Sequence, residues 1–344
     1  MQRSTEGLAI QTIVLTGISG FIAKHMALQL LNAGYAVRGT LRNSAREAEV
    51  RAALAPHLTD AKALSHLTFH IADLEQDAGW ADVMAGADAV LHTASPFPIK
   101  APKHPDDLIR PAVAGTRRVL TAAADAGVTR VILTSSTAAV YDETGPAAQN
   151  EANWCNPDAP GTSAYARSKT LAERAGWDLA KTRGLQLTVI NPGFVMGPPL
   201  DGHFGSSIGL IRRFLSGKDP MLPDIAFSCV DVRDVALAHL RALERPTTAG
   251  LRILCVAGEM RMPDMGRVLK AAYPARKIAT RTAPNLVLRV LALFDAELRA
   301  ALPMIGRSHP MSNARAKAEL GMDFIPVPDA LRASAAWLVD RALV

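Results

Sequence analysis

Residues 12–34 constrain this chain more than any other stretch. Thr12-Ile-Val-Leu-Thr16 is a short β-branched apolar run, and Gly17-Ile18-Ser19-Gly20-Phe21-Ile22-Ala23 follows at once. Lys24–Asn32 then has helical periodicity and stops at Ala33-Gly34, a helix-ending signal. Strand, glycine turn and helix in that order is the context a dinucleotide-binding turn requires. Gly17 permits the tight turn, and Gly20 lets the backbone approach a pyrophosphate held at the helix N-terminus. The spacing is G-x-x-G-x-x-A, with Ala23 where close helix–strand packing needs a small residue.

A second strand is expected at Tyr35–Leu41. In NAD-preferring folds an acidic residue near its end binds the ribose hydroxyls, yet no Asp or Glu lies between Tyr35 and Arg46. Arg42 stands there instead, flanked by Arg38 and Arg46. A guanidinium at that place suits a 2′-phosphate, so NADP(H) is the expected cofactor. Arg38 is expected as a solvated charge on one strand face.

The alternation continues through strands at Leu67–Ala72, Ala87–His92, Val128–Thr134 and Leu185–Ile190. Helices at Pro111–Ala126 and Ser163–Lys181 lie among them. Strands separated by helices and short turns predict an α/β fold, a doubly wound parallel sheet of the Rossmann kind. Beyond Gly193 the pattern loosens, and prolines after Pro263 break the chain into short helices and loops. The expected organisation is a nucleotide-binding domain over 8–192, to which 228–256 returns. A smaller C-terminal substrate-binding lobe comes from 193–227 and 257–344. Leu286–Phe294 is too short and too interrupted for a membrane span and is expected as a core or lid helix.

Composition narrows the function classes. Aromatics are only 5%, which gives no stacking platform for bases, and the net charge of +6 is scattered rather than gathered in a basic block. Cys155, Cys229 and Cys255 are odd in number and far apart, fitting neither a disulfide framework nor a zinc site. No apolar leader is visible near the N-terminus, so a cytoplasmic protein is expected, without membrane or nucleic-acid partners. The nine histidines show no metal-ligand spacing.

Tyr165-Ala166-Arg167-Ser168-Lys169 opens the helix expected from Ser163. A spacing of four puts phenol and ammonium on one face, one turn apart. The ammonium is expected to lower the phenol's pKa from its usual value of about 10 toward the working range. Ligands of such sheets sit beyond the carboxyl ends of the strands. Ser136, His92, Pro96 and Asn191 all fall at such ends.

With these residues in hand, the chain resembles the extended short-chain dehydrogenase/reductase superfamily. Within it, the chain is similar to NADPH-dependent methylglyoxal (aldehyde and ketone) reductases and to dihydroflavonol and cinnamoyl-CoA reductases. The narrower likeness rests on Thr16–Ala23, Leu91-His-Thr-Ala-Ser-Pro-Phe97, Val131-Ile-Leu-Thr-Ser-Ser136, Ile190-Asn-Pro-Gly-Phe-Val-Met-Gly-Pro198 and Cys229-Val-Asp-Val-Arg-Asp-Val-Ala236.

The resemblance implies reduction of an aldehyde or ketone, with Tyr165 as proton donor, Lys169 lowering its pKa and binding the nicotinamide ribose, and Ser136 polarising the carbonyl. Ser136 is preferred to Ser135 and Thr137 because it stands five residues before Tyr141. Gly17, Phe21, Ile22, Arg42, Asp73, Leu74 and Thr93 map onto cofactor contacts, Pro192 and Gly193 onto the nicotinamide wall, and Ser207, with Ser206 as fallback, onto the pyrophosphate. Phe97, Tyr141 and Phe194 are the substrate-side candidates, with Trp154 and His203 less so. His92 is expected to support the nicotinamide side, and Asp231 and Asp234 to brace the junction between lobes. The same three catalytic residues would also serve a nucleotide-sugar epimerase or dehydratase, or a 3β-hydroxysteroid dehydrogenase. A monomer or homodimer is expected, the latter through the two alanine-rich helices.

Overall fold

The computed structural model describes residues 11–95, 104–142, 145–294, 299, 301–308 and 310–344. Seven parallel strands form one sheet, in the order β3-β2-β1-β4-β5-β6-β9. They are β1 Thr12–Thr16, β2 Ala36–Leu41, β3 Leu67–Ile71, β4 Ala89–His92, β5 Arg130–Thr134, β6 Gln186–Pro192 and β9 Arg252–Cys255. The chain turns back between β1 and β4, which pair in register Ile13↔Ala89 through Thr16↔His92. That reversal leaves a crevice beyond the carboxyl ends of these two strands.

Both faces of the sheet are buried, which is why its strands read as continuous apolar runs rather than alternating ones. Ile13, Leu15, Leu91, Ile132 and Ile190 face one core with α1 (Phe21–Asn32). Val14, Val90, Val131, Leu133 and Val189 face the other. The latter core is covered by α4 (Asp106–Asp125) and α5 (Ala164–Arg183), which pack side by side. α4 begins earlier than its sequence suggested and carries Pro111 inside it. The missing N–H costs one intrahelical bond but does not end the helix. α5 is capped at its start by Ser163, whose hydroxyl accepts from the Ala166 N–H at 3.1 Å, and at its end by Gly184 with φ +68°.

A second, three-stranded sheet is ordered β10-β8-β7, from β7 Phe194–Met196, β8 Ala226–Asp231 and β10 Gly258–Arg261. Its own core gathers Met196, Ile211, Phe214, Leu222, Met265, Leu331 and Leu338. α6 (Ser206–Leu215) and the helix Val327–Asp340 contribute to it. Meanwhile α7 (Val232–Glu244) packs on α1 in the larger unit. Asp234 on α7 accepts the Ile325 N–H at 2.8 Å, tying the C-terminal segment to the large sheet's helices.

The helix Asn285–Leu291 is not a core helix. Leu288 and Ala292 point inward, but Leu286 is 75% and Phe294 87% exposed. Two inward positions a turn apart cover only a narrow face. Among the described residues, no helix is long and apolar enough to cross a membrane, and the three cysteines are buried and free.

Candidate active site

The glycine turn is built as its composition demands. Gly17 holds φ +65°, and a Cβ there would stand 3.0 Å from Ala94. Its N–H donates to Thr40 Oγ1 at 3.0 Å. α1 starts at Phe21 behind Gly20, and no side chain caps its first turn. α6 is likewise uncapped behind Gly205. A Cβ on Gly205 would lie 3.9 Å from the Phe21 ring, so the two helix N-termini face the same space. Ser207, however, directs its hydroxyl to the Val195 carbonyl and is buried, which commits its proton within the protein. Ser206 is exposed beside it.

At the end of β2, Arg42 is exposed to solvent. Arg46 reaches Ser19 Oγ of the glycine turn at 3.1 Å and binds Glu49 through two nitrogens, at 2.7 and 3.1 Å. The sequence suggests Arg46 only as a flanking charge, because its link to Ser19 depends on the bend and short helical turn that follow Arg42. Arg38 is not a solvated charge. Its guanidinium donates to the Val83 and Ala85 carbonyls at 2.6 and 2.8 Å, because these end a short helix and need donors.

The loop after β7 straps across the same region. Lys24 is buried and paired with Asp201. His203 Nδ1 lies 2.9 Å from Glu49, and His25 Nε2–H donates to the Pro198 carbonyl at 3.0 Å. His203 therefore belongs to this strap rather than to a substrate pocket. Glu49, Asp201 and His203 could together hold a cation. Lys24 and Arg46 already supply the two positive charges that balance the carboxylates.

Asp73 Oδ1 accepts the Glu75 N–H at 3.0 Å in the turn after β3. Leu74 packs against Gly115 of α4, where a Cβ would come within 3.0 Å. At the end of β4, Thr16 Oγ1 accepts from the N–H groups of Thr93 and Ala94, each at 3.0 Å. Its own proton must then go to His92 Nδ1, 2.8 Å away. The His92 tautomer is thereby fixed, with hydrogen on Nε2. Burial pushes its pKa down to about 3, with Lys169 adding to the effect, so the ring is neutral. Pro96 and Phe97 lie outside the described residues.

Ser136, two residues past β5, caps the short helical turn Thr137–Ala139, its Oγ accepting the Ala138 N–H at 3.1 Å. Tyr165, in the first turn of α5, is hydrogen-bonded to Ser136 through its side chain. Lys169 Nζ lies 5.9 Å from the centroid of the Tyr165 ring. Burial lowers the Lys169 pKa to about 8, and the Glu173 carboxylate opposes that shift.

The expected fall in the Tyr165 pKa is not found. Burial raises it, and the hydrogen bond from Ser136 only partly offsets this. The ammonium lies against the ring face, while the cost of placing a phenolate in a buried site acts on the oxygen itself. The phenol accordingly stays protonated at neutral pH.

The pair Pro192–Gly193 closes the crevice where β6 ends. A Cβ on Gly193 would stand 2.1 Å from the Ser228 carbonyl oxygen, so only glycine fits. Tyr141 is half-buried next to the Ser136 turn. Phe194 is half-buried and stacked on Phe227, centroids 4.7 Å apart. Trp154 is sandwiched by Arg252 and Arg174 at 3.6 and 5.3 Å, a packing role. Asp231 caps α7 and binds Arg233 with both oxygens, at 2.7 and 2.8 Å.

Sequence reasoning overlooked Glu173, although its spacing of four from Lys169 puts it on the same helix face.

Residues 13–256 match the model of the family described as NAD dependent epimerase/dehydratase. Cinnamoyl-CoA reductase 1 of Petunia hybrida is 34% identical over 336 residues, covering 96% of this chain and 91% of the relative. An anthocyanidin reductase of Vitis vinifera is 32% identical over 78% of this chain and 83% of its own length. The crystal structure of yeast methylglyoxal/isovaleraldehyde reductase complexed with NADPH superposes with a TM-score of 0.79 at 26% identity, over 97% of this chain and all of the yeast one.

Proposed function

Because the chain belongs to the NAD dependent epimerase/dehydratase family, we propose that it reduces an aldehyde or ketone to the alcohol with NADPH, Tyr165 donating the proton. The protein is an oxidoreductase and its cofactor is NADP(H). The observation that carries the finer reading is the contact between Tyr165 and Ser136, with the Lys169 ammonium against the phenol ring. Ser136 follows the end of β5, while Tyr165 and Lys169 stand on α5, with Lys169 near His92 at the end of β4.

The residues present fit the cofactor. Gly17 leaves room where a side chain would meet Ala94. Two uncapped helix N-termini, of α1 and α6, offer N–H groups to a pyrophosphate. The hydroxyl of Ser207 is spent on Val195, so α6 would contribute there through its backbone N–H groups. Arg42, with Arg46 and Ser19 beside it, would hold a 2′-phosphate, which a lone carboxylate would repel. Asp73 and Leu74 would line the adenine side. Phe21, Ile22 and Thr93 would border the phosphates and nicotinamide, and Pro192–Gly193 would back the ring. When bound, the reduced nicotinamide supplies the hydride.

The protein's own residues manage the oxygen. Ser136 and Tyr165 present two hydroxyls to one carbonyl oxygen, polarising it and fixing its direction. Burial keeps the Tyr165 proton in place until the oxygen acquires charge, and then Tyr165 gives it up. The Lys169 ammonium, held over the ring 5.9 Å from its centroid, would supply positive charge as the phenolate forms. Tyr141 and Phe194 would border the substrate, as would Phe97, which lies outside the described residues.

The test is NADPH oxidation against aldehydes, α-diketones, β-ketoesters, a dihydroflavonol and an aromatic acyl-CoA thioester, with NADH in parallel. Turnover preferring NADPH supports the reading. Silence across the panel, with NAD retained through purification, would favour a nucleotide-sugar epimerase.

A further inference from the structure

Beneath the trio lies a carboxylate that takes no direct part in the reduction. Glu173 lies one turn beyond Lys169 and two beyond Tyr165 on α5, and it is 1% exposed. Its Oε2 accepts from Ser135 Oγ at 2.6 Å and from Asn191 Nδ2 at 2.8 Å. Its Oε1 accepts from Arg252 Nε at 2.5 Å and Trp177 Nε1 at 3.3 Å. Asn191 Nδ2 also donates to the Ser136 carbonyl at 3.1 Å.

A buried carboxylate needs an opposite charge and donors for its lone pairs. Arg252 alone would meet the need for charge. Ser135 and Asn191 do more, because they join the strand ends on either side of Ser136 to the helix that carries Tyr165. We propose that Glu173 is a positioning residue for the reduction: it clamps the ends of β5 and β6 against α5, and supplies the counter-charge to Lys169. This rests on the reading of Tyr165 and Lys169 as the reacting pair.

The groups facing Lys169 are Glu173 and Tyr165 from its own helix and the neutral His92 from β4. Arg252 from β9 faces Glu173, with Ser135, Asn191 and Trp177 as neutral donors. Glu173 opposes the burial that weakens Lys169 as an acid-holding base. Removing its charge must therefore lower the pH at which the ammonium is lost.

The experiment is the pH profile of kcat/KM for NADPH-dependent carbonyl reduction by wild type and Glu173→Gln, with NADPH affinity followed by fluorescence. In Glu173→Gln the alkaline limb should move down by about one pH unit and kcat at the optimum should fall about tenfold or more. NADPH affinity should be nearly kept. A uniform loss of rate with the limb unmoved would assign Glu173 a structural role only and overturn the inference. Should Glu173→Gln fail to fold, with Arg252 left unpaired, Ser135→Ala decides. It removes one clamp bond but keeps the charge, so kcat should fall while the limb stays; an unchanged kcat overturns the clamp. A wild-type enzyme that reduces no carbonyl compound overturns the reading of Tyr165 and this inference together. Turnover with an unmoved limb in Glu173→Gln overturns this inference alone.

Discussion

The Lys169 ammonium lies 5.9 Å from the centroid of the Tyr165 ring, one helical turn along α5 and on the same face. Burial sends the two groups in opposite directions. The phenol holds its proton more tightly, and the ammonium lets go sooner, at about 8 instead of 10.5. In the direction of reduction the site needs both protons. Below pH about 8 the ammonium is present and the rate should be level; above it the ammonium is lost and the rate should fall. A pH profile of kcat/KM checks this. Lys169→Met should remove the limb and lower kcat by roughly 10²-fold or more.

Arg42 stands exposed just past β2, and no Asp or Glu lies between Tyr35 and Arg46. Arg42→Ala should raise KM for NADPH by the equivalent of about 1.5–3 kcal/mol, a charge-assisted hydrogen bond. KM for NADH should barely change. Equal effects on both cofactors, measured by initial rates, would remove the 2′-phosphate assignment.

Gly193 and Gly209 make a contrasting pair. A Cβ on Gly193 meets the Ser228 carbonyl at 2.1 Å, whereas one on Gly209, inside α6, meets nothing within 4 Å. Gly193→Ala should force the β6–β8 junction apart, costing about 1–3 kcal/mol and weakening NADPH binding. Gly209→Ala should raise stability by up to about 1 kcal/mol through helix propensity. Thermal melts of the two variants read both signs.

Acid should loosen the fold before its carboxylates are broadly protonated. His25, His92 and His239 are buried, and burial lowers their pKa values to about 4, 3 and 4 from the usual 6.5. The unfolded chain therefore binds more protons than the folded one as pH falls below about 6.5, and stability is lost toward pH 4. Asp234, raised by burial to about 6, works the other way, while His70, also lowered by burial, adds to the three. Tm should decline through this window, and His239→Gln should shallow the slope. A Tm that stays flat between pH 6.5 and 4 would contradict it.

Much of the architecture was legible because its signals are local. The β-branched runs at Thr12–Thr16 and Arg130–Thr134 and the glycines ending α1 and α5 depend on near neighbours. The Tyr165–Lys169 spacing is equally local, as is the need for glycine at position 17. What escaped depends on distant chain. The partner of Glu173, Arg252, is 79 residues away on the last strand of the sheet. Arg38 reads as a surface charge until a helix end 45 residues on supplies its carbonyls. The Tyr165 pKa follows the same logic: its helix supplies the ammonium, but surrounding elements supply the burial, and burial wins.

The most direct test of the account is Tyr165→Phe, measured as NADPH-dependent carbonyl reduction beside NADPH affinity. Phenylalanine keeps the ring beneath Lys169 and removes only the hydroxyl that meets Ser136. Loss of kcat by about 10²–10⁴-fold with NADPH affinity nearly unchanged is the predicted result. A variant that turns over at the wild-type rate, or one that loses NADPH binding altogether, would contradict Tyr165 as the proton donor.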